Sequence, residues 1–159
     1  MQELWPTLSA EEQHLFQQGL HIGRVLNEYQ GDFLRGDFLV RNVLALERET
    51  GALAITDRVR VGQTVQFHVR DAATADEDLH ALLRLDMNAH DRKPSGALLF
   101  SCNGRGTHLF SGPHHDASVL RAEAGDIPLA GFFAQGELGP VGGQNFIHGF
   151  TASVALFEE

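Results

Sequence analysis

Residues 96–106 read Gly-Ala-Leu-Leu-Phe-Ser-Cys-Asn-Gly-Arg-Gly, and this stretch decides the fold. Residues 97–102 are apolar at both parities, so they read as a strand covered on both faces, central in its sheet. Asn103-Gly104-Arg105-Gly106 then turns sharply, since two glycines permit backbone angles that other residues avoid. Two stretches downstream are built alike, a hydrophobic strand abutting polar residues on glycine hinges. They are PLAGFFAQGELGPV at 128–141 and HGFTASVALF at 148–157. The first predicts a strand over 129–135 and then a loop carrying Gly139, Pro140, Gly142 and Gly143 to Gln144. The second predicts one long final strand over 146–157.

Working outward, Ser9-Ala10-Glu11-Glu12 is a capping box. Leu15, Gly19, Ile22 and Leu26 follow at helical spacing, so residues 1–36 read as an N-terminal helical segment. Phe38–Leu46 is β-prone, 47–51 is a hairpin turn and 52–55 a return strand. Residues 64–70 alternate, Val65, Phe67 and Val69 against Gln66, His68 and Arg70, as a half-buried strand does. Thr74-Ala75-Asp76-Glu77 reads as a second capping box, opening a helix with Leu79, Leu82, Leu83 and Met87 inward. Residues 88–95 form a loop and 114–123 a short helix. Helices and strands mix without strict alternation. The reading is an α+β (mixed α/β) single domain over 1–159, its core at 37–159. Helices pack on a largely antiparallel or mixed sheet of about six strands.

Composition narrows the classes of function. A chain of 159 residues with 43% hydrophobic and 21% charged residues buries a core without a metal or disulfide. One cysteine, Cys102, allows no internal disulfide and fits a reducing, cytoplasmic setting. The start, Met-Gln-Glu-Leu-Trp-Pro, has neither the basic nor the apolar region of a signal peptide. No apolar run is long enough for membrane insertion. A formal net charge of −9 repels a phosphate backbone, so nucleic acid is not expected as a partner.

The candidate site gathers around the three glycine-rich stretches. Ser101 and Cys102 end the central strand on opposite faces. Ser101 caps a backbone group or attacks a substrate; Cys102 is a small buried hydrophobe or a nucleophile. Arg105, between its glycines, offers a planar fork to a carboxylate or phosphate, or else pairs with Glu137. On one continuous strand His148 shares the apolar face of Phe150, Ala152, Val154 and Leu156, with Thr151 on the other. It is then a site residue, or a histidine satisfied by one backbone carbonyl. Phe132 or Phe133 supplies an apolar wall. His114-His115-Asp116 reads as a helix start, Asp116 favoured by the helix dipole, since adjacent helical positions point apart and cannot readily share one metal.

SCNGRG with Phe110 behind it, GFFAQGELGP and HGFTASVALF, in that order, resemble the FIST C-terminal domain of F-box and intracellular signal transduction proteins. Thr50-Gly51-Ala52-Leu53, Val61-Gly62 and Val69-Arg70-Asp71-Ala72 agree with it upstream, so the resemblance runs from about Phe38 to Phe157. It implies a non-enzymatic sensory domain, in bacterial signalling among other settings, that binds a small-molecule ligand such as an amino acid or other small anion. It implies no obligatory cofactor, with haem on His148 as an alternative, and a structural protein-interaction domain as another. The implied partners are a FIST N-terminal domain or a signalling output protein, or a second copy in a homodimer.

Overall fold

The computed structural model describes residues 3–90 and 93–158; Asp91 and Arg92, within the loop expected over 88–95, lie outside them. The architecture is α+β, with strands in three sheets. The chain gathers into two compact units, one of residues up to Arg70 with Val141–Gln144, the other of Asp71–Pro140 with the residues from Asn145 on.

The first unit opens with helix α1 (Ala10–Gln18). Its capping box forms as the sequence requires: Ser9 N–H donates to Glu12 Oε2 at 2.7 Å, and Glu12 N–H to Ser9 Oγ at 3.2 Å. The helix does not continue through Ile22 to Leu26. It stops at Gly19, and Leu20–Val25 is strand β1. Leu20, Ile22 and Arg24 fit a period of two as well as Ile22 and Leu26 fit a period of four, and sheet pairing on both sides decides between them. Strands β2 (Phe38–Leu46), β3 (Leu53–Ile55) and β4 (Val65–Val69) complete an antiparallel sheet in the order β3-β2-β1-β4. Ile22 pairs with Phe67, so the β4 face of Val65, Phe67 and Val69 is the face of buried Ile22. At the sheet edge these three side chains keep 46, 39 and 36% of their surface exposed, which makes β4 less buried than its alternation suggests.

His21 and His68 stand directly opposite across β1 and β4. The His68 ring lies over Gly23, where any Cβ would run into it, and meets the Phe38 ring edge-on at 4.9 Å. Burial first, then the charge of Arg70, holds His21 below the ordinary histidine range; burial and then His21 hold His68 below it.

The second unit is built on β5 (Gly96–Cys102), central in a sheet ordered β6-β5-β9, with β6 (Leu129–Ala134) parallel to it and β9 (Ala152–Phe157) antiparallel. Gly131 faces Leu99, where a Cβ would collide with the Leu99 carbonyl, so glycine is what lets β6 pair here. Helices α2 (Ala72–Ala89) and α3 (His115–Ala124) pack on the face of Ala97, forming a core of Leu79, Leu83, Val119 and Leu120. Leu82, expected inward, is 57% exposed. The capping box expected at Thr74 is not the helix start. Asp71 caps α2 instead, its Oδ1 accepting from Thr74 N–H at 2.9 Å, so Thr74 lies in the first turn. The expected loop after 135 is the hairpin of β7 (Glu137–Val141) and β8 (Gln144–His148), turned by Gly142 and Gly143 at positive φ. The expected long final strand is broken between β8 and β9, at Phe150 with φ 64°.

The His21–His68 pair gives stability a defined pH sign. Both groups titrate lower in the folded chain, so below about pH 6.5 the unfolded chain binds protons the folded chain refuses, and stability falls as pH falls. Wild type is expected to lose more of its urea midpoint than His68→Leu between about pH 7.5 and pH 5; parallel profiles would contradict the assignment.

Candidate functional site

The site grows from the C-terminal end of β5. Ser101 pairs with Ala152 and faces the helices; it is buried. The chain turns through Gly104, Arg105 and Gly106, and Gly106 has φ 55° with the Phe133 ring 3.2 Å from where a Cβ would stand. This turn sends Arg105 back under the sheet end, 6% exposed. Its partner is Asp116, in the first turn of α3, and not Glu137. Nε donates to Oδ2 and Nη2 to Oδ1, each at 2.8 Å, the bidentate geometry that guanidinium and carboxylate share. Ser101 Oγ donates to Asp116 Oδ2 at 2.6 Å. Burial pushes the Asp116 carboxyl up, but the hydrogen bonds from Arg105 and Ser101 outweigh it and hold the group below the usual carboxylate range.

From Asp116 the polar groups continue outward. His115 Nδ1 lies 3.1 Å from Asp116 Oδ1, and Nε2 lies 2.9 Å from Asp76 Oδ1 on α2. The imidazole stacks on Phe110 with centroids 3.4 Å apart and planes within 6°, and the Arg105 guanidinium lies 5.2 Å from the same ring. These groups back an open cleft of about 480 Å³ lined by Ala72, Asp76, Phe110, Pro113, His115 and Ser118, among others. Among the described residues no group of three or more His, Cys, Asp or Glu side chains is arranged to hold a metal ion.

On the other side Arg105 Nη1 donates to the Phe150 carbonyl at 3.4 Å. The next residue, Thr151, donates through Oγ1 to Glu137 Oε2 at 2.9 Å and through its N–H at 3.4 Å. The Thr151 carbonyl accepts from Cys102 N–H at 2.9 Å. Glu137 is 3% exposed, and its second oxygen, Oε1, has no hydrogen-bond partner. Five of the sequence-selected residues, Ser101, Cys102, Arg105, Glu137 and Thr151, therefore share one connected neighbourhood.

Two do not. Phe132 pairs with Phe100, on the sheet face opposite Ser101, and is 63% exposed, packing edge-on against Phe100; it walls nothing beside Arg105. His148 leaves the Ala152, Val154 and Leu156 face because the break at Phe150 ends the strict alternation. Its Nε2 donates to the Gly139 carbonyl at 2.9 Å, the backbone-satisfied alternative. A haem ligand needs that ring nitrogen bare, so the setting of His148 does not fit an axial ligand. Neither candidate nucleophile is bonded to it, since Ser101 donates to Asp116 and Cys102 Sγ accepts from Gly104 N–H. Sequence reading missed Asp116 as the partner of Arg105. The signal was present: Asp116, Val119, Leu120 and Ala124 fall on one helical stripe, and a carboxylate on an apolar stripe requires a cation.

The FIST C domain matches residues 1–140. The uncharacterized protein Rv0628c of Mycobacterium tuberculosis is 48% identical over 157 residues, and the uncharacterized protein Mb0898c of Mycobacterium bovis 46% over 157 residues. Each alignment covers 99% of this chain and 41% of the relative, so the chain spans about two-fifths of the length of these relatives. No helix among the described residues is long and apolar enough to cross a membrane.

Removing the Asp116 charge strands a buried guanidinium. Asp116→Asn is expected to cost about 3–5 kcal/mol in urea unfolding, and Ser101→Ala only about 1 kcal/mol. Equal small losses would show that Arg105 is solvated rather than held.

Proposed function

We propose, for a chain that belongs to the FIST C domain family, that it is a non-enzymatic sensory module whose small ligand presents an amino group to Glu137. The family is one of signal-transduction sensory domains, which supplies the class of function. The ligand reading rests on one observation: Glu137 is buried, fastened to Thr151 by one oxygen, and without a partner on the other. A buried acceptor left unpaired costs about 1–3 kcal/mol, and a donor from a ligand removes that cost. An ammonium group does so through a charge-assisted bond. Among the two ligand classes expected, an amino acid or a small anion, this favours the amino acid.

Arg105 then acts differently from an anion clamp. Three of its nitrogens are engaged by Asp116 and Phe150, so it positions the Phe150-Thr151 backbone that carries the Glu137 contact. Output passes through a partner, a FIST N-terminal domain or a separate signalling protein, with the cytoplasm as its setting and no cofactor in its action. Exposed Leu138 and Ile147, 71 and 67% accessible on the β7–β8 hairpin, favour a second reading as a protein-interaction domain.

Thermal-shift measurements on the purified chain should compare amino acids with their α-keto counterparts and with simple carboxylates. A ligand at 100 times its dissociation constant stabilises by about 2.7 kcal/mol. The expected result is a shift with the amino compounds alone, lost in Glu137→Gln while the variant still melts cooperatively. Equal shifts from keto acids, or full binding by Glu137→Gln, would sink the amino-group reading; silence across the panel favours the interaction domain.

A further inference from the structure

We propose that β6 is the contact edge of a dimer, paired antiparallel with β6 of a second copy of this chain. The strand ends its sheet, and among the described residues no strand lies beyond it. Ala97 N–H donates to the Pro128 carbonyl at 2.9 Å and Asn103 N–H to the Ala134 carbonyl at 2.8 Å. In a parallel ladder alternate residues turn both backbone groups to one side. Positions 128, 130, 132 and 134 therefore face β5, and Leu129, Gly131 and Phe133 aim their N–H and C=O groups outward. Ala130, Gly131, Phe132 and Phe133 are all exposed, the two rings at 63 and 54%. Edge strands are ordinarily protected by a charge, a proline, a bulge, or a helix or loop laid over them. β6 has none of these: Leu129–Ala134 contains no charged residue and no proline, its register with β5 does not shift, and its side chains stand open.

Charge and register identify the occupant. The chain carries a formal net charge of −9, so two copies repel unless both present an uncharged surface. Residues 127–136 supply one, bounded by Asp126 and Glu137. An antiparallel pair centred on Gly131 sets that residue against the partner's Gly131 and sets Leu129 against the partner's Phe133. All three residues aim outward, so each such pair exchanges two N–H···O bonds. Phe132 then stands opposite the partner's Ala130, in the closer, non-hydrogen-bonded kind of pair. A large side chain meets a small one on that face, and no side chain crowds the dyad at Gly131. A strand that supplies its own complement about one residue is what a twofold contact requires. Two phenylalanines of this exposure leave about 200 Å² uncovered on each copy. Together with the strand backbones, that places the contact at the small, reversible end of protein interfaces, so the dimer forms and dissociates with concentration. The contact does not depend on the amino-group ligand of Glu137.

Sedimentation velocity of the purified full chain, from about 1 to about 300 μM, is expected to show a monomer–dimer equilibrium. Raising NaCl from about 50 to about 500 mM screens the like charges and is expected to strengthen association, since no ion pair holds the contact. Phe132→Lys sets two cations diagonally across the dyad at an exposed position, and is expected to raise the dissociation constant at least about tenfold while the variant still melts cooperatively. Ala130→Glu is expected to do the same with two anions. Mixed in equal amounts, the two variants are expected to pair with each other more tightly than either does with itself, because positions 132 and 130 stand opposite. Leu138→Lys, on the β7–β8 hairpin, is expected to leave association unchanged. A chain that stays monomeric throughout overturns the proposal. So does a dimer that Phe132→Lys leaves intact, one that Leu138→Lys abolishes, or a mixture that pairs no better than its parts. Should Phe132→Lys fail to fold, Ala130→Glu carries the same test.

Discussion

The second unit depends on one buried ion pair. Arg105 and Asp116 lie 11 positions apart, one on a glycine turn after the central strand and one on the first turn of a helix, 6 and 5% exposed. Desolvating two such charges costs several kcal/mol per ion, and only good geometry with further hydrogen bonds offsets it. Both conditions are met here, by the two parallel 2.8 Å bonds and by Ser101 on the carboxylate. The pair fixes the angle at which α3 leaves the sheet end. Through the remaining guanidinium edge it also fixes Phe150, and with it Thr151 and Glu137. An apolar pair of equal volume would hold the helix but would not set these hydrogen-bond directions.

Histidine stands in different surroundings in the two units. His21 and His68 face each other with burial holding both toward the neutral form. His80 and His115 sit among carboxylates on the two helices. The difference lies in the partners and not in exposure alone: apolar Phe38 and a bare Gly23 surround His68, whereas Asp76, Asp116 and Glu123 surround the helix pair.

Much of this was legible because it is local. The capping box at Ser9, the strand at Phe38–Leu46, the alternation of Val65, Phe67 and Val69, and the central strand through Cys102 each follow from a few neighbouring residues. Ser101, Arg105, Glu137 and Thr151 stood out because they are polar residues beside glycines and hydrophobic strands, and hydrogen bonds connect their neighbourhood in the fold. What failed was non-local. Arg105 could reach Glu137 or Asp116, and only the fold, which brings the first turn of α3 to the turn after β5, decides for Asp116. His148 was assigned to a sheet face by parity, and one left-handed residue, Phe150, cancels parity for everything before it. The run from Gly19 to Leu26 satisfied two periods, and pairing with β2 and β4, which no window of sequence contains, selected the strand.

The costs in the second unit fall in one place. His114 and Phe150 are the two non-glycine residues at positive φ among those described, each strained by about 1–2 kcal/mol. His114 precedes the helix turn carrying Asp116, and Phe150 supplies the carbonyl that Arg105 binds and precedes the threonine that binds Glu137. Glu137 adds a buried oxygen with no partner. The Leu79, Leu83, Val119 and Leu120 core carries no comparable strain and would pack without any of these three. Strain and an unmet hydrogen bond that a fold does not require are retained where something else uses them. Here they fall beside the residues that hold Arg105 and Glu137, namely Asp116, Phe150 and Thr151.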